Sequence, residues 1–223
     1  MLTLRNISKS FQQRGIVLNN LDLAIREGES VSIMGPSGSG KTTLLNIIGL
    51  LDKPDSGDLL FRGEPLQNFT PDASAAYRNK NIGFVFQEHL MLPYLTIYDN
   101  IILPALARKH SGDEYLAIER HATELMEKIG ISSISAKYPF QVSGGEAQRA
   151  SIIRALINKP SILLADEPTG ALDNRNGENL ADLLLEMNRD TGVTLIIATH
   201  SHQLANKMGR RLSLEDGKLY PQP

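Results

Sequence analysis

Residues 30–48, Ser30-Val31-Ser32-Ile33-Met34-Gly35-Pro36-Ser37-Gly38-Ser39-Gly40-Lys41-Thr42-Thr43-Leu44-Leu45-Asn46-Ile47-Ile48, decide how the rest of the chain is read. A short apolar run stops at a glycine-rich turn, and apolar residues then recur at helical spacing. Strand, loop and helix in that order open a parallel α/β sheet. Gly35 to Thr42 fits the pattern G-x-x-x-x-G-K-[ST]. Glycines let a backbone wrap closely around a polyphosphate, and the N–H groups and dipole of the following helix attract the anion. The Lys41 ammonium would reach β- and γ-phosphates, and the Thr42 hydroxyl would ligate Mg²⁺. A glycine-rich turn without a ligand is the plain alternative; the strand before it and the helix after it argue against that. The expected cradle is Gly35, Pro36, Ser37, Gly38, Ser39, Gly40, Lys41, Thr42 and Thr43.

Further along, Ile162-Leu163-Leu164-Ala165-Asp166-Glu167 is a second buried strand ending in two carboxylates. Asp166, at the strand tip, would hold Mg²⁺ through its water shell, and Glu167 would polarise an attacking water as general base. Adjacent acids at a strand end are just as common as solvated turn residues. A phosphate loop earlier in the chain favours function, because Mg²⁺ needs a further set of oxygen ligands.

Around these two strands, Leu2, Leu4, Leu21, Leu23 and Ile25 alternate with polar residues and predict strands before residue 30. Ile82 to Phe86 reads as a short apolar strand. Ser111 with Glu114 forms a capping-box pattern, Tyr115, Ile118, Ala122, Leu125 and Ile129 follow at helical spacing, and Gly130 fits the stop. Residues from about 88 to 142 are thus expected as a helical lobe inserted in a single sheet domain spanning 1–223. Leu180, Leu183, Leu184 and Met187 share one helix face, Val193 to Ala198 reads as a fully buried strand, and Leu212 to Tyr220 as a hairpin around Asp216-Gly217. The fold expected is α/β, with a mixed core sheet, an N-terminal antiparallel β subdomain and the helical insertion.

Composition narrows the function classes. A chain of 223 residues is long enough for a sizeable core, and 41 % apolar with 22 % charged residues is ordinary for a globular protein. The net charge of −2 and the lack of a basic run make nucleic acid an unexpected partner. With no cysteine, disulfides and thiolate metal sites are excluded. The segment from Met1 to Phe11 alternates and carries charge, so no signal peptide is expected there. No stretch approaches the length of a membrane span, so any membrane role needs spans from another chain.

Ser143-Gly144-Gly145-Glu146-Ala147-Gln148-Arg149 places a serine and two glycines ahead of an expected helix, Ala147 to Ile157, and offers backbone N–H donors to an anion. Taken alone it is an ordinary Ser-Gly N-cap. Together with the phosphate loop, it resembles the L-S-G-G-Q signature of the ABC (ATP-binding cassette) ATPases. Gln87 matches the Q-loop glutamine of that family, Gly170-Ala171-Leu172-Asp173 its D-loop, and His200 its switch histidine; Phe11 lies where the family has an aromatic residue stacked on adenine. These landmarks occur in the family's order over essentially the whole chain. Val142 and Glu146 depart from the usual Leu and Gln, and Glu146 adds a negative charge. That departure bears on the rate more than on the activity.

The resemblance implies ATP and Mg²⁺ as cofactors and a head-to-tail dimer with two ATP sites. Gln87 would sense Mg²⁺ and the γ-phosphate. Ser143, Gly144, Gly145 and Glu146 would cap the partner subunit's ATP, with Ser143 and Gly145 on its γ-phosphate. Asp173 would couple the two sites, and His200 would hold the γ-phosphate and the water with Glu167. Phe11 as a core aromatic remains open. His89, His110, His121 and His202 are expected in surface or packing roles, none having a partner at metal-ligand spacing. The wording of residues 44–52, 83–87 and 165–173 resembles the MacB, LolD and FtsE group, and Thr169 to Asp173 leans toward the MacB-like exporters. Members drive membrane-spanning permease subunits from the cytoplasmic face of the inner membrane, as peripheral proteins and as homodimers or paralogous dimers. Export or mechanical transmission is the leading expectation, regulation of cell-wall hydrolases at division the alternative. A DNA-repair or translation ATPase would need a coiled coil or a second cassette, and a small-molecule kinase would not need the signature. Leu90-Met91-Leu92-Pro93-Tyr94-Leu95 is either the permease docking surface or lobe core.

Overall fold

The computed structural model describes residues 1–108, 110–170 and 172–222. Strand β1, Leu2–Phe11, and strand β2, Gly15–Ile25, form an antiparallel hairpin from Leu2 opposite Ile25 to Phe11 opposite Gly15, with register shifts between Leu4 and Ser10. Strand β4, Ser56–Phe61, pairs with the other edge of β1, and the short β5, Glu64–Pro65, with β4. A second sheet holds β3, Ser30–Met34, β6, Ile82–Val85, β7, Ile162–Asp166, β8, Thr194–Ala198, β9, Arg210–Glu215, and β10, Lys218–Pro221. Its order is β10-β9-β3-β8-β7-β6, parallel throughout except for β10.

The central strands are apolar on both faces because both faces are covered. Ile162 and Leu164 of β7 join one core with Ile196 and Ala198 of β8; Leu163, Ala165, Leu195 and Ile197 join another. The first core lies between the two sheets. It encloses helix α1, Lys41–Ile48, whose Leu44, Leu45, Ile47 and Ile48 are all buried. The second core gathers helix α6, Asn174–Thr191, and the helices between β6 and β7. These are α3, Ile97–Ile102, α4, Gly112–Ile129, and α5, Gly144–Leu156. Helix α7, His202–Asn206, follows β8.

Most sequence expectations for elements agree with this architecture. The Ser111–Glu114 capping box forms, and Gly130 ends α4 at φ +72°. The hairpin at Asp216-Gly217 turns with positive φ at both residues. Four details differ. The strand expected to reach Phe86 stops at Val85, the last residue paired with β7. The helix expected from Ala147 begins at Gly144, because the Ser143 cap offsets the poor helix propensity of two glycines. Helix α2, Pro71–Asn81, was not anticipated: it buries only Tyr77, so it has no apolar period, although Thr70 as cap and Pro71 in the first turn mark its start. In the 90–95 run, Met91 is buried in the second core while Leu90, Leu92 and Tyr94 are exposed, so it is part core and part surface.

Helix α5 lies so close to the edge strand β6 that a Cβ on Gly83 would stand 2.3 Å from the Ala155 carbonyl oxygen. Backbone cannot retreat as a flexible side chain does. Gly83→Ala is expected to destabilise the fold by about 1–3 kcal/mol, read as a lower midpoint in urea denaturation with an unchanged slope.

Candidate active site

Parallel strands release their C-terminal ends on one edge of the sheet, where α/β proteins bind ligands. Gln87 lies just past β6, Asp166 ends β7, Glu167 follows it, and His200 lies just past β8. Lys41 and Thr42 open α1, beyond the turn that follows β3. All six line one cavity of about 540 Å³, together with Ser37, Gly38, Gly40 and Thr43. That size suits a small-molecule ligand.

The turn from Gly35 to Gly40 is built for close approach. A Cβ on Gly35 (φ +153°) would stand 2.6 Å from the Leu214 carbonyl oxygen, and one on Gly40 (φ +105°) 2.7 Å from Val17 Cγ1. Lys41 Nζ donates to the carbonyls of Gly35 (2.8 Å) and Pro36 (3.2 Å) and stands 3.7 Å from Glu167 Oε1. Thr42 Oγ1 donates to Asp166 Oδ2 at 2.7 Å. Burial raises the Asp166 carboxyl above the usual aspartate range, the Thr42 hydroxyl opposing and the Glu167 carboxylate adding to it. Glu167 adopts φ +46°, a conformation that costs a non-glycine residue roughly 1–2 kcal/mol. Its N–H holds the Ala198 carbonyl at 2.8 Å, and its Oε2 accepts the His200 N–H at 3.1 Å and lies 2.8 Å from His200 Nδ1.

Two of the four buried side-chain polar atoms without a hydrogen-bond partner among the described residues are Ser39 Oγ, in the glycine-rich turn, and Asp166 Oδ1, at the end of β7. An orphaned carboxylate oxygen beside a hydroxyl suits a hard cation. Among the described residues no cluster of three or more His, Cys, Asp or Glu could cage a metal by itself. The Thr42 hydroxyl and the Asp166 carboxylate are oxygen donors of the kind Mg²⁺ takes, an ion that keeps several waters and is shared with phosphate.

The remaining expected residues lie elsewhere. Phe11 does not line the cavity; it is half-exposed, with Lys9 Nζ 5.3 Å from its ring centroid, and Arg14 and Val17 line the cavity instead. Neither carried a motif that could have singled it out: one is a lone cation in a hairpin turn, the other one apolar residue in an alternating strand. Gly35, Pro36 and Ser39 belong to the same turn but do not line this cavity. Ser143, Gly144, Gly145 and Glu146 head α5 outside the cavity. Asp173 caps α6 by accepting the Asn176 N–H at 2.8 Å, and lines a neighbouring cavity of about 190 Å³ that His200 also borders. Ala171, in the middle of the 170–173 motif, lies outside the described residues. Of the four other histidines, His89 Nδ1 accepts the Met91 N–H and His110 Nε2 contacts the Ala105 carbonyl.

At the head of α5 the Ser143 hydroxyl donates to Glu146 Oε2 (2.7 Å), and the Ser143 N–H does the same at 2.8 Å. These bonds hold the Glu146 carboxyl below the glutamate value of 4.5. A carboxyl with a depressed folded value stabilises the fold above its unfolded value and loses that contribution as pH falls through the folded one. Wild type is therefore expected to be more stable than Glu146→Ala at neutral pH, and the gap should shrink once pH falls below 4.5. Paired urea denaturation curves at neutral and acid pH measure it.

Comparison with known proteins agrees with this geometry. The ABC transporter family model matches residues 18–170. The lipoprotein-releasing system ATP-binding protein LolD of Syntrophus aciditrophicus is 44 % identical, over 98 % of both chains. LolD of Oleidesulfovibrio alaskensis is 41 % identical over 100 % of this chain and 96 % of its own. Among solved structures, the dimeric bacterial ABC transporter cassette MJ0796 matches with a TM-score of 0.88 at 39 % identity, over 98 % of this chain and 96 % of that one. The same cassette in a post-hydrolysis dimer bound to ADP and Pi matches at 0.88 and 38 % identity, over 99 % and 98 % of the two chains. Among the described residues no helix is long and apolar enough to cross a membrane. The chain belongs to the ABC transporter family, as an ATP-binding and ATP-hydrolysing cassette of the kind that works as a dimer with membrane permease partners.

Proposed function

We propose that this cassette drives a separate membrane-spanning subunit in a lipoprotein-releasing or related export complex, docked at the cytoplasmic face of the inner membrane. The LolD name of its relatives favours lipoprotein release over the MacB-like branch. The chain acts as one ATPase domain, with residues about 88–142 as a helical lobe. Two copies, or this chain and a paralogue, close head to tail around two ATP molecules.

The observation that carries this reading is the position of Glu167. It sits one residue beyond the Asp166 that accepts from Thr42, between Lys41 Nζ at 3.7 Å and His200 Nδ1 at 2.8 Å. Thr42 and Asp166 would hold Mg²⁺, which would supply positive charge against the β- and γ-phosphates. The glycine-rich turn and the first N–H groups of α1 cradle the phosphates, and Lys41 exchanges its loop carbonyls for phosphate oxygens. Glu167 takes the proton of the water that attacks the γ-phosphorus, oriented with His200, as the bond from that phosphorus to the oxygen leaving on ADP breaks, and Gln87 would contact the cation and the γ-phosphate. The partner copy's signature helix, headed by a serine and glycines, completes the γ-phosphate contacts from the far side. Phe11 stacks on the adenine at the outer end. Closing with ATP and opening after hydrolysis moves the two helical lobes, and exposed Leu90, Leu92 and Tyr94 pass that motion to the permease.

Glu167→Gln is expected to bind ATP, lose hydrolysis by about two orders of magnitude or more, and accumulate an ATP-dependent dimer on size exclusion. Hydrolysis at the wild-type rate would remove Glu167 from the role of base. Purification from native membranes in mild detergent is expected to bring along a membrane protein with few spans and a large extracytoplasmic domain. A many-span permease would point to channel-type transport, and recovery without any membrane protein would end the transport reading.

A further inference from the structure

We infer that Gln148, on the helix headed by Ser143, is a positioning residue that ties the loops carrying Gln87 and Glu167 to that helix. The inference rests on the proposed roles of those two residues. The parallel ladder between β6 and β7 ends at Val85 opposite Ala165. Beyond it the two chains diverge toward the cavity, and their carbonyls leave the ladder. Gln148 fills the fork: it is 3 % exposed, and its Nε2 donates to the Phe86 carbonyl at 3.1 Å and to the Pro168 carbonyl at 3.1 Å. Phe86 immediately precedes Gln87, and Pro168 immediately follows Glu167. Only a primary amide offers two N–H donors on one uncharged nitrogen, which is what two diverging carbonyls require.

The same helix grips the loop after Gln87 a second time. Arg154 donates to the carbonyls of His89 at 2.6 Å and Leu90 at 2.8 Å. On the far side of the fork, Gln87 lies against Gly170, where an added Cβ would stand 3.3 Å from Gln87 Nε2. Ser143 and Gln148 are five residues apart, about 7 Å along one rigid helix. A displacement at the head of α5 therefore reaches the Phe86 and Pro168 carbonyls directly. Through them it reaches the backbones that aim the Gln87 amide and the Glu167 carboxylate. Gln148 touches no substrate; it sets whether the two side chains are aligned when Ser143 engages.

The test compares Gln148→Leu with Asn158→Leu. Asn158, in the turn just past the C-terminal end of the same helix, also bridges two carbonyls, those of Asn79 at 3.0 Å and Pro104 at 3.2 Å, but neither belongs to a loop of the cavity. Gln148→Leu leaves both of its carbonyls without their donor, whereas after Asn158→Leu the Pro104 carbonyl still accepts from Asn79 Nδ2 at 2.7 Å; each change removes a buried donor, so both lower the melting temperature. Gln148→Leu is expected to reduce kcat for ATP at least about tenfold while the Kd for a fluorescent ATP analogue stays within about twofold; Asn158→Leu keeps both. If Gln148→Leu does not fold, Gln148→Met, of equal length and without a donor, takes its place. Wild-type kcat in a folded Gln148 variant overturns the inference. So does an equal kcat loss in Asn158→Leu, or failure of both Gln148 variants to fold, since each outcome describes a purely structural strut. A Glu167→Gln variant assayed alongside separates the two levels. If it hydrolyses normally, the underlying assignment fails whatever Gln148 does; if it is inactive while Gln148→Leu is not, only the positioning role fails.

Discussion

The parallel ladder of the central sheet does not stop where its strands end. The Glu167 N–H continues it to the Ala198 carbonyl at 2.8 Å, and the Thr199 N–H to the Ile33 carbonyl at 3.1 Å. Those two bonds carry the register of β3, β8 and β7 into the loops that hold the general base, the histidine and the phosphate turn. Parallel strands all point the same way, so their C-terminal ends arrive together and groups far apart in sequence meet within hydrogen-bond distance. Thr42 and Asp166 are 124 residues apart and 2.7 Å from each other. The positive φ of Glu167 is tolerated because its N–H is tied to β8 and its carbonyl accepts the Gly170 N–H.

On this frame the electrostatics are asymmetric. Lys41 is nearly enclosed and satisfied by two loop carbonyls, whereas Asp166 is half-buried with one covered oxygen unpartnered. Burying a carboxylate without full pairing is costly, and the upward shift of the Asp166 carboxyl expresses that cost. A hard cation relieves it, so the strain left in the protein has the sign of the cofactor it fits. The head of α5 is arranged in the opposite way: Glu146 satisfies both donors of Ser143, so its charge is committed locally to the cap.

Within the helical segment between β6 and β7, and from it to the loops that leave the sheet, side chains reach for backbone. Asn100 is fully buried, accepting the Leu92 N–H and donating to the carbonyls of Leu92, Leu95 and Thr96. Arg154 and Gln148 do the same from α5. Contacts of this kind fix a loop's position without adding an apolar surface, which leaves Leu90, Leu92 and Tyr94 facing outward.

Much of this was legible along the chain. The run from Ser30 to Ile48 carries its own strand, turn and helix chemistry, because glycines, a lysine and a threonine at fixed offsets have few other uses. The capping boxes at Ser111 and Ser143 and the turn at Asp216-Gly217 are equally local, so short spacing suffices to read them. Helix α2 was missed because it buries almost nothing, and Arg14 and Val17 because no pattern distinguishes a turn cation or one apolar strand residue. The sequence by itself determined which residue types exist to bind phosphate, hold a cation and take a proton, and on which kinds of element they sit. Only the tertiary structure decided their distances: which strands became neighbours, how far the ladder ran past their ends, and that one glutamine amide closes the fork between two loops. Those depend on contacts between residues tens of positions apart, and no local periodicity encodes them.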